Sequence, residues 1–143
     1  MLDFSLHWEE THKWWYTPLG QAFLDAESQE LKKVIATLFG YHLLLLGEEA
    51  FIGSLAESPI LHRVWTHPKA NQFAIQNGLT SRHDKLPVAS DSIDAAYLAH
   101  CLESINNPHE VLREIFRVLI PEGHVVISGF NPWSWWGFWR YIR

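Results

Sequence analysis

Nine histidines and one cysteine are the side chains of this 143-residue sequence best suited to proton transfer, nucleophilic attack or metal ligation. Their spacing narrows the chemistry. His7 and His12 stand five apart, as do His62 and His67. Neither pair belongs to a His-Glu-x-x-His or Cys/His ligand pattern, so no metal site is expected. His100 directly precedes Cys101, a juxtaposition that a Cys/His nucleophile would use. Neighbours near a strand end point to opposite faces, however, and no third group orients the pair, so a nucleophilic cysteine is not expected. Near the end of the sequence Arg140 and Arg143 flank Trp133, Trp135, Trp136 and Trp139. Basic and aromatic residues interleaved in this way suit nucleic acid, but the net charge of -5 opposes it, and no nucleic-acid partner is expected.

Composition sets the frame for these residues. Hydrophobic residues at 48% and charged ones at 19% describe an ordinary globular chain, expected as a single domain over 1–143. One cysteine excludes an internal disulfide framework and fits a reducing compartment. The opening MLDFSLHWEE lacks the basic and apolar regions of a signal peptide. No apolar run approaches the roughly 20 residues of a membrane span. A cytoplasmic protein is the resulting expectation.

The elements that must position these side chains alternate between helix and strand. Thr17-Pro18 reads as an N-cap with proline at the first helical position. Leu19, Phe23, Ala26, Leu31, Val34, Ile35 and Leu38 mark an apolar helical stripe that Gly40 closes. This N-terminal helical segment, 1–39, leads into a core over 40–143. Tyr41 to Leu46 is a continuous apolar run between glycines, which predicts a strand buried on both faces. A short helix is expected over 48–58 and a strand over Ile60 to Trp65. Weak strands are expected around Gln72 to Ile75 and Leu79 to His83, and a clear one over Ile93 to Leu98. Asn107-Pro108-His109-Glu110 opens a helix, with Asn as cap and Glu reaching back; Val111, Leu112, Ile115, Phe116, Val118 and Leu119 are its apolar stripe. His124 to Ser128 follows as a buried strand. Such alternation predicts an α/β fold with a mostly parallel, Rossmann-like sheet. Asn131 and Pro132 then predict a terminal helix carrying Trp135, Trp136 and Trp139 on one face.

Residues 86 to 128 add a resemblance. Leu86-Pro87-Val88, Ser92-Ile93-Asp94, Ala99-His100, Leu112-Arg113-Glu114, Arg117-Val118-Leu119 and Pro121-Glu122-Gly123 follow one another in order and spacing. This series resembles the second half of the class I S-adenosylmethionine (SAM) dependent methyltransferases, of the type called Methyltransferase-11. SGFNPWSWWG after the last strand is similar to a bacterial subgroup with Gly-Phe-Asn-Pro at that place, and so is the long helix before Tyr41-His42-Leu43-Leu44. The resemblance implies methyl transfer from SAM to an acceptor that it does not name. It implies cofactor contacts from Gly47, Glu48, Gly53, His83, Asp84, Ala99 and His100. His100, expected with Ala99 and Leu102 in an exposed loop at the mouth of the pocket, would act as a general base or else hydrogen-bond a loop carbonyl. For Arg113, Glu114 and Arg117 structural salt bridges are the expected role.

Three cofactor landmarks of the family are altered. The loop after the first strand reads Gly47-Glu48-Glu49-Ala50-Phe51-Ile52-Gly53, with Glu49 where a glycine belongs. The second strand ends in Val64-Trp65-Thr66-His67 without the carboxylate that would hold ribose hydroxyls. Arg82 stands in place of the acid near adenine, with Asp84 as the substitute. A methyltransferase-like binding or scaffolding module is the alternative reading. The family's full sheet has seven strands, so a fold stopping after about five predicts a homo-oligomer, or a missing C-terminal part, covering the aromatic face of 133–141. Shallow attachment to a membrane surface is the other role open to those aromatics.

Overall fold

The first helix starts where its capping chemistry predicts. The computed structural model describes residues 13–47, 49–67, 78–80, 85–102, 107–130 and 137–142. In it helix α1 (Pro18–Ile35) follows Thr17, whose Oγ1 accepts the Gly20 N–H at 3.1 Å. Its buried positions differ from the expected stripe. Leu19 is 69% exposed and Ala26 is exposed, whereas Gly20 and Glu27 are buried beside Leu31 and Ile35. Gly40, beyond the helix, has φ of 139° and lies so close to Asp94 that a Cβ there would come within 2.3 Å of its side chain. This approach lets Asp94 Oδ2 accept the N–H groups of both Tyr41 and His42 at 2.9 Å, which anchors the start of the next strand.

That strand, β1 (His42–Gly47), is followed by a 3-10 helix (Glu49–Glu57), β2 (His62–His67) and β3 (Gly78–Thr80). The second half runs β4 (Ile93–Ala99), α2 (Pro108–Val118), β5 (Leu119–Phe130) and β6 (Gly137–Ile142). The sheet order is β3-β2-β1-β4-β5-β6. All neighbours pair in parallel except β6, which runs antiparallel to β5.

Period-two alternation divides the core into two layers. Leu43, Leu45, Ala95 and Tyr97 pack beneath α1 and the 3-10 helix, against Leu31, Ile35, Phe51, Leu55 and Trp15. Leu44, Leu46, Ala96 and Leu98 face α2 through Val111, Ile115 and Val118. Leu43 to Leu46 are all 0% exposed, and each buried leucine contributes about 1.5–3 kcal/mol. Of the expected run, Leu43 to Leu46 thus lie in a central strand covered on both faces, while Tyr41 precedes the strand and is exposed.

Several expectations are corrected here. The short helix expected after β1 is present, as a 3-10 helix over Glu49–Glu57. Leu79 and Thr80 of the expected Leu79–His83 strand lie in β3, and residues 81–83 and Gln72–Ile75 lie outside the described residues. Asn107 occupies the cap position of α2 but its side chain makes no cap hydrogen bond. Phe116 is 61% exposed and so leaves the apolar stripe of α2. The sheet does not stop at β5. Gly137–Ile142 pairs along β5, with Trp139 opposite Ser128 in a strand rather than on a terminal helix. The outer edge of β5 is therefore covered by the chain itself, which removes the edge-based reason for expecting an oligomer. Trp133, Trp135 and Trp136 lie outside the described residues. No helix among the described residues is long and apolar enough to cross a membrane.

Candidate functional site

Chain order reverses at the centre of the sheet. From β1 the chain passes to β2 on one side, while β4 lies on the other. In open parallel sheets ligands bind outside the carboxyl ends of the strands at such a switch point. Here those ends are Gly47 and Ala99, which are register partners. Gly47 has φ of 112°, and a Cβ on it would come within 2.3 Å of the Ala99 carbonyl oxygen. Only glycine fits both the conformation and the space. The Trp65 indole N–H, from β2, donates to the Gly47 carbonyl at 3.1 Å and fixes the turn from the other side.

His100 follows Ala99 with φ of 50°, a left-handed conformation that ends the strand. Continued alternation would send its side chain toward α2. The reversal instead places the ring on the α1 side, stacked on Phe51 at 5.3 Å and tilted against Trp15 at 4.9 Å. The His100 backbone N–H donates to the Ser128 carbonyl at 3.1 Å. Its Nε2 lies 2.9 Å from both carboxylate oxygens of Glu27, which α1 lowers over the crevice. An ionised carboxylate only accepts, so Nε2 carries the proton in this pair. The two side chains are 1% and 6% exposed, so the contact is shielded from water. Beneath it the Tyr97 hydroxyl and Ser128 Oγ lie 2.8 Å apart. Burial pushes the Tyr97 phenol well above its ordinary value; the Ser128 bond opposes this and the Glu27 charge adds to it. Tyr97 is thus a neutral hydrogen-bonding group.

The predicted site residues divide accordingly. Gly47, Ala99 and His100 come together at the switch point. They are not exposed there as expected: Ala99 is 0% and His100 4% exposed, because α1 and the 3-10 helix cover them. Gly53 is exposed on the 3-10 helix, where an added Cβ would meet nothing within 4 Å, so no close approach requires glycine at that position. Glu48, His83 and Asp84 lie outside the described residues. Cys101 packs in the core cluster on the α2 side, whereas the His100 ring lies on the α1 side.

Glu27 is the residue that sequence reasoning missed. Its signal was legible: it lies four residues after Phe23 and four before Leu31, in the middle of an apolar stripe. A carboxylate at such a position needs a buried partner. Glu114 and Arg117 form the expected ion pair, with Nε to Oε1 at 2.8 Å. They also clamp the segment before β4. Glu114 accepts the Leu86 N–H, and Arg117 donates to the carbonyls of Leu86 and Val88. Among the described residues no ion pair is found for Arg113.

Taken together, α1, the sheet, α2 and the β1/β4 switch point define a Rossmann-like domain with its crevice at the carboxyl edge. Residues 57–127 match the family described as "Methyltransferase domain". A proposed SAM-dependent methyltransferase of Methanococcus maripaludis superposes over 90% of this chain and 65% of its own, with TM-score 0.69 and 14% identity. A SAM-dependent methyltransferase of Aquifex aeolicus covers 92% of this chain and 74% of its own, with TM-score 0.62 and 17% identity. At these identities the likeness concerns the fold. YafS of Escherichia coli K12, described as uncharacterized, is 35% identical over 124 residues. That match takes in 87% of this chain and 50% of YafS, so the chain spans half the length of the curated relative it matches. Over residues 57–127 the chain is similar to the methyltransferase domain family, and its fold is that of SAM-dependent methyltransferases of known structure.

Proposed function

We propose that this chain forms the cofactor-binding part of an enzyme that transfers a methyl group from SAM to a separate acceptor. The observation that carries the reading is Gly47, held at φ of 112° against Ala99 at the switch point. A family member needs a glycine there to turn the chain beneath the cofactor. The residues that would hold SAM are Gly47 and Ala99, joined by Glu48, His83 and Asp84 on the strength of the family pattern. When bound, SAM supplies an electrophilic methyl group on its sulfonium.

The protein's own part is binding, alignment and exclusion of water. Trp15, Phe51 and the His100 ring close the α1 side of the crevice. Because the Glu27 carboxylate occupies His100 Nε2, we assign His100 to holding α1 in place rather than to removing a proton through that nitrogen. A second reading, a binding module without catalysis, is favoured by one feature. β2 ends in Val64-Trp65-Thr66-His67, with no carboxylate for a ribose.

Calorimetric titration with SAM and S-adenosylhomocysteine separates the two readings. Saturable binding that Gly47→Val weakens is expected for the enzyme. An absence of heat at millimolar ligand would sink that reading for this chain and leave the binding module.

A further inference from the structure

We propose that His42 and His62 form a binding site for a divalent transition-metal ion of the zinc, nickel or copper class, at the amino ends of β1 and β2, remote from the crevice. The two residues are register partners at the first positions of the parallel strands β1 and β2. Parallel partners project to the same face, so their imidazoles meet. Nδ1 of one lies 2.6 Å from Nδ1 of the other, and the ring centroids are 4.8 Å apart. Two ring nitrogens this close share a single proton between their lone pairs. A metal ion uses those same lone pairs, and imidazole is the ligand type that zinc, nickel and copper accept.

The geometry requires little adjustment. Metal–nitrogen bonds of about 2.0–2.1 Å around a tetrahedral ion put two ligand nitrogens about 3.3 Å apart. The rings must therefore part by less than about 1 Å, and they lie at the exposed ends of their strands. His62 is exposed and His42 half-buried, so an ion reaches the pair from solvent. The backbone beneath is fixed by Asp94, which accepts the His42 N–H at 2.9 Å. The site is thus built on two paired strands rather than on a loop. With two protein ligands, the remaining coordination positions go to water or to donors from another molecule. Among the described residues no group of three or more potential ligands occurs, so affinity below that of a structural zinc site is expected.

Titration of the protein with Zn2+, with Ni2+ as a second probe, tests the proposal by calorimetry at neutral pH. One ion per chain is expected. His42→Gln and His62→Gln should each weaken that site at least about tenfold, the least that disturbing a metal's surroundings costs. His109→Gln and His124→Gln serve as controls for the other histidines and should leave it unchanged. Cu2+ added to the wild type should show two nitrogen ligands by electron paramagnetic resonance, with one lost in either pair variant. Equal binding by wild type and both pair variants, or no binding by the wild type, overturns the assignment. None of these readouts depends on SAM binding.

Discussion

Glu27 and His100 show how one residue pair can decide the form of a site. Each is costly to bury alone, and each removes the cost of burying the other. Glu27→Ala leaves His100 in an apolar shell of Trp15 and Phe51, and destabilisation by about 3–5 kcal/mol is expected in urea unfolding. The double variant Glu27→Leu with His100→Leu should be less destabilised than the sum of the two single changes, because no orphaned polar group remains. A cost below about 1 kcal/mol for Glu27→Ala would show that the pair is not a buried ionic contact.

At the scale of elements, α2 does more than cover the sheet. Through Glu114 and Arg117 it fixes the segment from Leu86 to Ser90 that leads into β4. The Arg117 hydrogen bond holds the Glu114 carboxyl below its ordinary value of 4.5, with the Leu86 N–H adding to the effect and burial opposing it. A carboxyl depressed in the folded state contributes stability in full above its unfolded value. That contribution is lost as pH falls through the lower folded value. Arg117→Ala is therefore expected to cost about 1–2 kcal/mol at neutral pH, the modest end for charged hydrogen bonds because solvent reaches the pair. Urea unfolding of both proteins between pH 7 and pH 3 should show the gap narrowing only below about pH 4.5. A gap independent of pH would remove the carboxylate from the account.

Across the whole molecule, stability concentrates in β1 and β4. They lie at the centre of the sheet, and Leu43 to Leu46 and Ala95 to Leu98 are 0% exposed. Their amides should exchange with deuterium most slowly, at the rate of global unfolding, while those of α2 exchange faster through local opening. Faster exchange in β1 than in α2 would contradict this order. The same centre carries the Gly47–Ala99 switch point, so the site rests on the least deformable part of the fold.

The sequence by itself determined the elements whose signals are local. Thr17-Pro18 starts α1, the apolar run from Leu43 to Leu46 is a two-faced strand, and Pro108 opens α2, because capping and periodicity act between near neighbours in the chain. Gly47 was legible as well, since its glycine answers a backbone requirement. What remained hidden depends on residues distant in sequence. Glu27 meets His100 across 73 positions, and the turn of His100 toward α1 comes from a single left-handed backbone angle. His42 faces His62 only because β1 and β2 pair in that register. Trp139 lies in a strand because β5 offered an open edge, which outweighed a local helix signal. Local chemistry thus named the pieces of this Rossmann-like domain. Only the pairing of strands and the placing of α1 over their ends decided which side chains meet.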